Sequence, residues 1–77
     1  MPRRRNTERL VAIGKRVKAL RADRGLSQAQ LAEAVGVEPM TISRFENGRA
    51  GMGLSNLLKL AEALRAPLSA ILDVTQP

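Results

Sequence analysis

The 77-residue chain has no Cys, no His, no Trp and no Tyr, and its one aromatic is Phe45. Without Cys and His, thiolate nucleophiles, disulfides, zinc sites, imidazole bases and haem ligation drop out together. No metal, no cofactor and no enzymatic activity are therefore expected. Acidic residues are also few, seven against thirteen Lys and Arg. No apolar run approaches the ~20 residues of a membrane span, and no apolar core follows Met1-Pro2-Arg3-Arg4-Arg5. The expectation is a soluble, cytoplasmic chain with no membrane partner, forming one small domain near the size at which a core only just offsets chain entropy.

The positive charge is unevenly placed. Residues 1 to 25 hold nine basic residues (Arg3, Arg4, Arg5, Arg9, Lys15, Arg16, Lys18, Arg21, Arg24) against Glu8 and Asp23, a net +7, whereas the whole chain carries +6. A basic stripe on a small domain points to a polyanion, nucleic acid before anionic membrane. The alternative is a solvated face that only maintains solubility.

Eleven Leu and eleven Ala, with no alternating runs, predict an all-α chain. Between about Thr7 and Asp23, Leu10, Ile13, Val17 and Leu20 recur at spacings of 3, 4 and 3, one stripe of an amphipathic helix that leaves Arg9, Arg16 and Lys18 facing water or a partner. Gly25 stops this helix. Ser27 then caps a second helix, Gln30 returns the bond, and Leu26 staples onto Leu31. Gly36 closes that helix after about two turns, and Pro39 opens a third running to about Asn47. A fourth helix is expected at about 54 to 65, with Leu54, Leu57, Leu58, Ala61 and Leu64 on its apolar stripe. Pro67 opens a last short one containing Leu68, Ile71 and Leu72.

Two short helices joined around Gly36, with Leu31, Val35, Val37, Ile42 and Phe45 pointing between them, make a helix-turn-helix. The segments Arg24-Gly25-Leu26-Ser27-Gln28-Ala29-Gln30-Leu31-Ala32, Ile42-Ser43-Arg44-Phe45-Glu46-Asn47-Gly48 and Leu57-Leu58-Lys59-Leu60-Ala61-Glu62-Ala63-Leu64 carry a resemblance to the lambda-repressor-like, Cro/XRE-type helix-turn-helix domains. The resemblance covers roughly residues 9 to 73. It implies a compact five-helix DNA-binding domain whose third helix enters the major groove, a docking mode known for such repressors.

At 100° per residue, Met40, Ser43, Arg44 and Asn47 fall within about 100° of one another, opposite Ile42 and Phe45. This is the candidate reading face. Arg44 suits guanine O6 and N7, with a phosphate contact as its alternative, and Met40 suits a thymine methyl. Ser43 reaches either a base or a phosphate. Glu38 and Pro39 open the helix where relatives often place Ser or Thr and then Gln. Pro39 donates no side-chain bond, and Glu38 repels phosphate unless it accepts from a cytosine amine or serves the helix dipole.

Ser27 and Gln28 sit at a helix N-terminus, where amides and dipole attract phosphate. The resemblance gives Gln28, Asn47 and Arg49 backbone contacts and has Gln28 support the recognition helix, with a contact inside its own helix as the alternative for Asn47. Thr41 and Arg9 complete the expected phosphate set. The resemblance also pairs Arg21 with Glu46 in an ion pair between the first and third helices. Residues 1 to 6 are expected to form a basic arm, in which Arg3, Arg4 and Arg5 either reach DNA or only solubilise, before a domain of residues 7 to 73 and a frayed tail of 74 to 77. A homodimer on a pseudo-palindromic operator is expected, through Leu68, Ile71, Leu72 and Val74 unless these close the core of one subunit. The function read from the chain is transcriptional regulation, with RNA polymerase or a partner protein as a further contact. The competing class is a protein-interaction or antitoxin-type adaptor on the same fold.

Overall fold

A computed structural model describes the backbone of residues 2–73 and the side chains of residues 7–73. It contains five helices, α1 (Pro2–Asp23), α2 (Gln28–Val35), α3 (Pro39–Glu46), α4 (Leu54–Ala63) and α5 (Leu68–Leu72). The described residues contain no strand. The first boundary differs from expectation, since α1 starts at Pro2 and not at Thr7, so the helix runs through residues 2–6 as well. Proline fits the first turn because its missing N–H has no acceptor there, and Arg3-Arg4-Arg5 are good helix formers. Val74 and the side chains of Arg3, Arg4 and Arg5 lie outside the described residues.

One core collects Val17 from α1, Leu31, Ala32 and Val35 from α2, Ile42 and Phe45 from α3, Leu60, Ala61 and Leu64 from the α4 region, and Ile71 from α5. Ile13, Leu20, Leu26, Val37, Leu57 and Leu68 pack around it. Two expectations need correction. Ile71 is 0% exposed, so it closes the core and contributes nothing to a dimer face, and Leu68 packs beside it. Leu54 and Leu58, placed on the buried stripe of the fourth helix, are 64% and 52% exposed. The stripe that is buried runs through Leu57, Leu60, Ala61 and Leu64, and Leu58 lies about 100° round the helix from Leu57.

Four of the helices end in the same way. The amides of Leu26, Val37, Arg49 and Ala66 each donate to the carbonyl five residues back, at Arg21, Ala32, Arg44 and Ala61. In each case the preceding residue has positive φ: Gly25, Gly36, Gly48 and Arg65. This is the Schellman closure, which wants glycine at that left-handed position. Arg65, at φ 53, is the one non-glycine among them. Left-handed backbone costs a side-chain-bearing residue about 1–2 kcal/mol. Arg65→Gly is therefore expected to raise stability by about 0.5–1 kcal/mol after the extra freedom of an unfolded glycine is subtracted. A urea titration showing no upward shift of the midpoint at constant slope would count against this.

α1 lies against the end of α3 with almost no space between backbones. A methyl group on Gly14 would come within 2.5 Å of the Phe45 and Glu46 carbonyl oxygens, and one on Gly48 within 2.7 Å of the Val11 Cα. The third helix, which carries the candidate reading face, is thus seated on α1 by contacts that tolerate no side chain. A glycine inside a long helical pattern, with no cap to form, was the signal for this approach in the sequence.

Candidate nucleic-acid interface

The start of α2 is built by a capping box. Ser27 Oγ accepts from the Gln30 amide at 3.0 Å, and Gln30 Oε1 accepts from the Ser27 amide at 2.8 Å. Those two bonds satisfy two of the four amides that a helix start leaves without intrahelical acceptors. The amides of Gln28 and Ala29 are the other two. They are geometrically free for an external acceptor such as a phosphate oxygen.

α3 follows after the Gly36 closure. Its N-cap is Glu38, whose side chain makes no capping bond, and Pro39 takes the first position. Ile42 and Phe45 are buried, and Met40 on the other side is 59% exposed. Arg44 and Asn47 are also exposed, while Thr41 and Ser43 are half-buried. The expected face is therefore open to a partner, with one refinement. Asn47 Nδ2 donates to the Ser43 carbonyl at 2.9 Å, so this side chain is turned onto its own helix end. Arg49 is exposed just beyond the closure of α3, and Arg9 is exposed on α1.

Beneath this face Glu46 is 3% exposed. Its Oε2 accepts from Arg21 Nε at 2.6 Å, and its Oε1 accepts from Arg21 Nη2 at 3.1 Å and from Gln28 Nε2 at 2.9 Å. Arg21 Nη1 also donates to the Leu26 carbonyl at 2.8 Å. One carboxylate therefore joins α1, the start of α2 and the end of α3. Hydrogen-bond donation to Glu46 raises the Arg21 pKa above its ordinary value, burial opposes it, and the carboxylate charge adds to the rise. The stability from a raised cation pKa is complete below the ordinary arginine value and is lost only as the pH rises through the raised one. This guanidinium stays charged throughout the working pH range.

The pairing of Arg21 and Glu46 was visible in the sequence only by resemblance, which also had Gln28 support the third helix without naming Glu46 as its partner. A bidentate arginine leaves one lone-pair direction on each oxygen of the acid, and only the tertiary fold brings the start of α2 to one of them. Two further arginines of the basic stripe have structural partners. Arg24 Nε donates to the Leu64 carbonyl at 2.7 Å, and Arg16 Nε to the Ala70 carbonyl at 2.9 Å. Arg16 is exposed, as expected, and while exposed it and Arg24 also bind carbonyls at the ends of α5 and α4, where a cation suits the helix dipole. Of the basic residues from Arg9 to Arg24, only Arg21 is withdrawn from the surface; Arg16 and Arg24 tie helix ends while remaining exposed, and Arg9, Lys15 and Lys18 are exposed as well.

The family model described as helix-turn-helix matches residues 17–71. The chain is 40% identical over 62 residues to the HTH-type transcriptional repressor RghR of Bacillus subtilis (strain 168), a match covering 79% of this chain and 46% of that protein. The chain thus spans about half the length of that relative. Among solved structures it is similar to the restriction-modification controller protein C.AhdI from Aeromonas hydrophila, with a TM-score of 0.78, 37% identity and coverage of 80% of this chain and 94% of that one. It is also similar to the P22 c2 repressor solved with a synthetic operator, with a TM-score of 0.77, 32% identity and coverage of 82% and 96%. On its five-helix core, its capped α2 and its open α3, and on these matches, the chain belongs to the Cro/C1-type helix-turn-helix family.

Proposed function

We propose that this chain is a sequence-specific double-stranded DNA-binding regulator of transcription, acting in the cytoplasm at the nucleoid, with α3 in the major groove. The observation that carries the reading is the two-sided character of α3. Ile42 and Phe45 are buried on one side, Met40 and Arg44 are open on the other, and both its ends are fixed by closures and by Glu46. Arg44 reads guanine and Met40 meets a thymine methyl. Phosphates are held by the amides at the start of α2, by Ser27 and Gln28, by Thr41, Arg49 and Arg9, and by Arg3, Arg4 and Arg5 on the first turns of α1.

One such module covers only ~600–1,000 Å² on DNA, too little for selective binding, so two copies act together. Leu54, Leu58 and Leu72 replace Ile71 as the apolar surface for the second copy, since these three Leu are the large aliphatic side chains left exposed outside the reading face among the described residues.

The test is selection from a random DNA library, followed by titrations at several salt concentrations. The expected product is a pseudo-palindromic motif, and Arg44→Ala should erase a guanine preference of roughly tenfold at one position of each half. Salt-dependent binding with no enriched motif would reduce the protein to a non-specific binder, or to an adaptor. A motif without internal symmetry would remove the dimer. An unchanged motif for Arg44→Ala would remove the readout assignment.

A further inference from the structure

We infer that Glu38 is a specificity-determining residue which accepts a hydrogen bond from the exocyclic amine of a cytosine in the operator and weakens binding everywhere else. The inference rests on α3 lying in the major groove. Glu38 occupies the N-cap of α3 with extended backbone, φ −73 and ψ 148, and its side chain makes no cap bond. It is exposed, and it takes part in none of the side-chain hydrogen bonds or ion pairs found among the described residues. The carboxylate therefore has no internal task. Glu46, the other acid of α3, is buried and neutralised by Arg21.

An uncommitted carboxylate at the N-terminal end of a recognition helix sits where side chains meet base edges. There it faces a surface that is mostly acceptors and phosphates, which repel it. Cytosine alone offers an amine donor in the major groove with no acceptor or methyl of its own beside it, and Glu is the side chain suited to receive it. Pro39, next in the chain, has no side-chain donor to offset a mismatch, so the penalty for a wrong base is not relieved locally. The same charge lowers affinity for arbitrary sequence, which widens the gap between operator and bulk DNA. This is discrimination by repulsion as well as attraction.

Glu38→Ala removes both the charge and the acceptor and breaks no side-chain contact inside the protein. It is expected to leave thermal stability nearly unchanged and to lose a roughly tenfold cytosine preference at one position of each half-site, while binding to unrelated duplex tightens by about threefold at low salt. The atom is identified by replacing that cytosine with 2-pyrimidinone, which lacks the amine. The wild type should lose roughly tenfold in affinity and Glu38→Ala little. If Glu38→Ala tightens all sequences alike with the motif intact, Glu38 is only a repulsive surface charge and the inference fails. If the wild type enriches no motif, the groove-binding reading fails with it. If Arg44→Ala alters the motif and Glu38→Ala does not, that reading stands and only this inference falls.

Discussion

Glu46→Ala is expected to cost about 3–5 kcal/mol of folding stability, the penalty for leaving the charge of Arg21 partly buried without its partner. The loss is large beside the roughly 4–12 kcal/mol that a chain of this size commands. Arg21 is 14% exposed and the Glu46 side chain 1%, so little water reaches the pair to screen it. Gln28 loses its acceptor at the same time. The physical content of the prediction lies in a comparison. Replacing Arg21 and Glu46 together by Leu should cost less than Glu46→Ala alone, because no unpaired ion remains. Urea unfolding of the single and double variants gives both numbers. Glu46→Ala losing less than about 1 kcal/mol would show that Arg21 finds water or another acceptor, and that the three-helix junction does not depend on the carboxylate.

Gly14→Ala should also destabilise, by about 2–3 kcal/mol, although alanine favours a helix interior over glycine by about 0.5–1 kcal/mol. The opposing term is steric, and it dominates because the neighbours are backbone. The new methyl would stand 2.5 Å from two carbonyl oxygens and 2.8 Å from the Glu46 carbonyl carbon, none of which a rotamer change can move. α1 and α3 must separate. Since the displaced atoms belong to the last turn of α3, operator affinity measured well below the melting temperature should fall as well. A Gly14→Ala variant that melts at or above the wild type would mean that the two helices are not in contact at this point.

The elements of the fold were legible in the sequence where the signal is local. Ser27 and Gln30 at a spacing of three, Gly25, Gly36 and Gly48 at the helix ends, and Pro39 at the start of α3 each act on backbone groups within one turn. Local chemistry of that kind needs no knowledge of the rest of the chain. The face of α3 was legible for the same reason, because helical periodicity alone separates Met40 and Arg44 from Ile42 and Phe45. The start of α1 was not, since Arg3-Arg4-Arg5 looks equally like an arm and like a first turn once charge is weighed above helix propensity. Ile71, Leu54 and Leu58 were misplaced because an aliphatic residue near the edge of a stripe has no local mark of burial.

The sequence by itself determined an all-helical chain with a capped helix-turn-helix, the glycine closures of the first three helices and an excess of positive charge in the first third. Tertiary structure decided how that charge is used. Arg16 and Arg24 reach carbonyls 54 and 40 residues away, and Arg21 reaches an acid 25 residues away. Whether an arginine holds a helix end depends on which carbonyls the packing of the core brings within about 3 Å of it. Apolar burial sets that packing, and burial is a property of the whole chain.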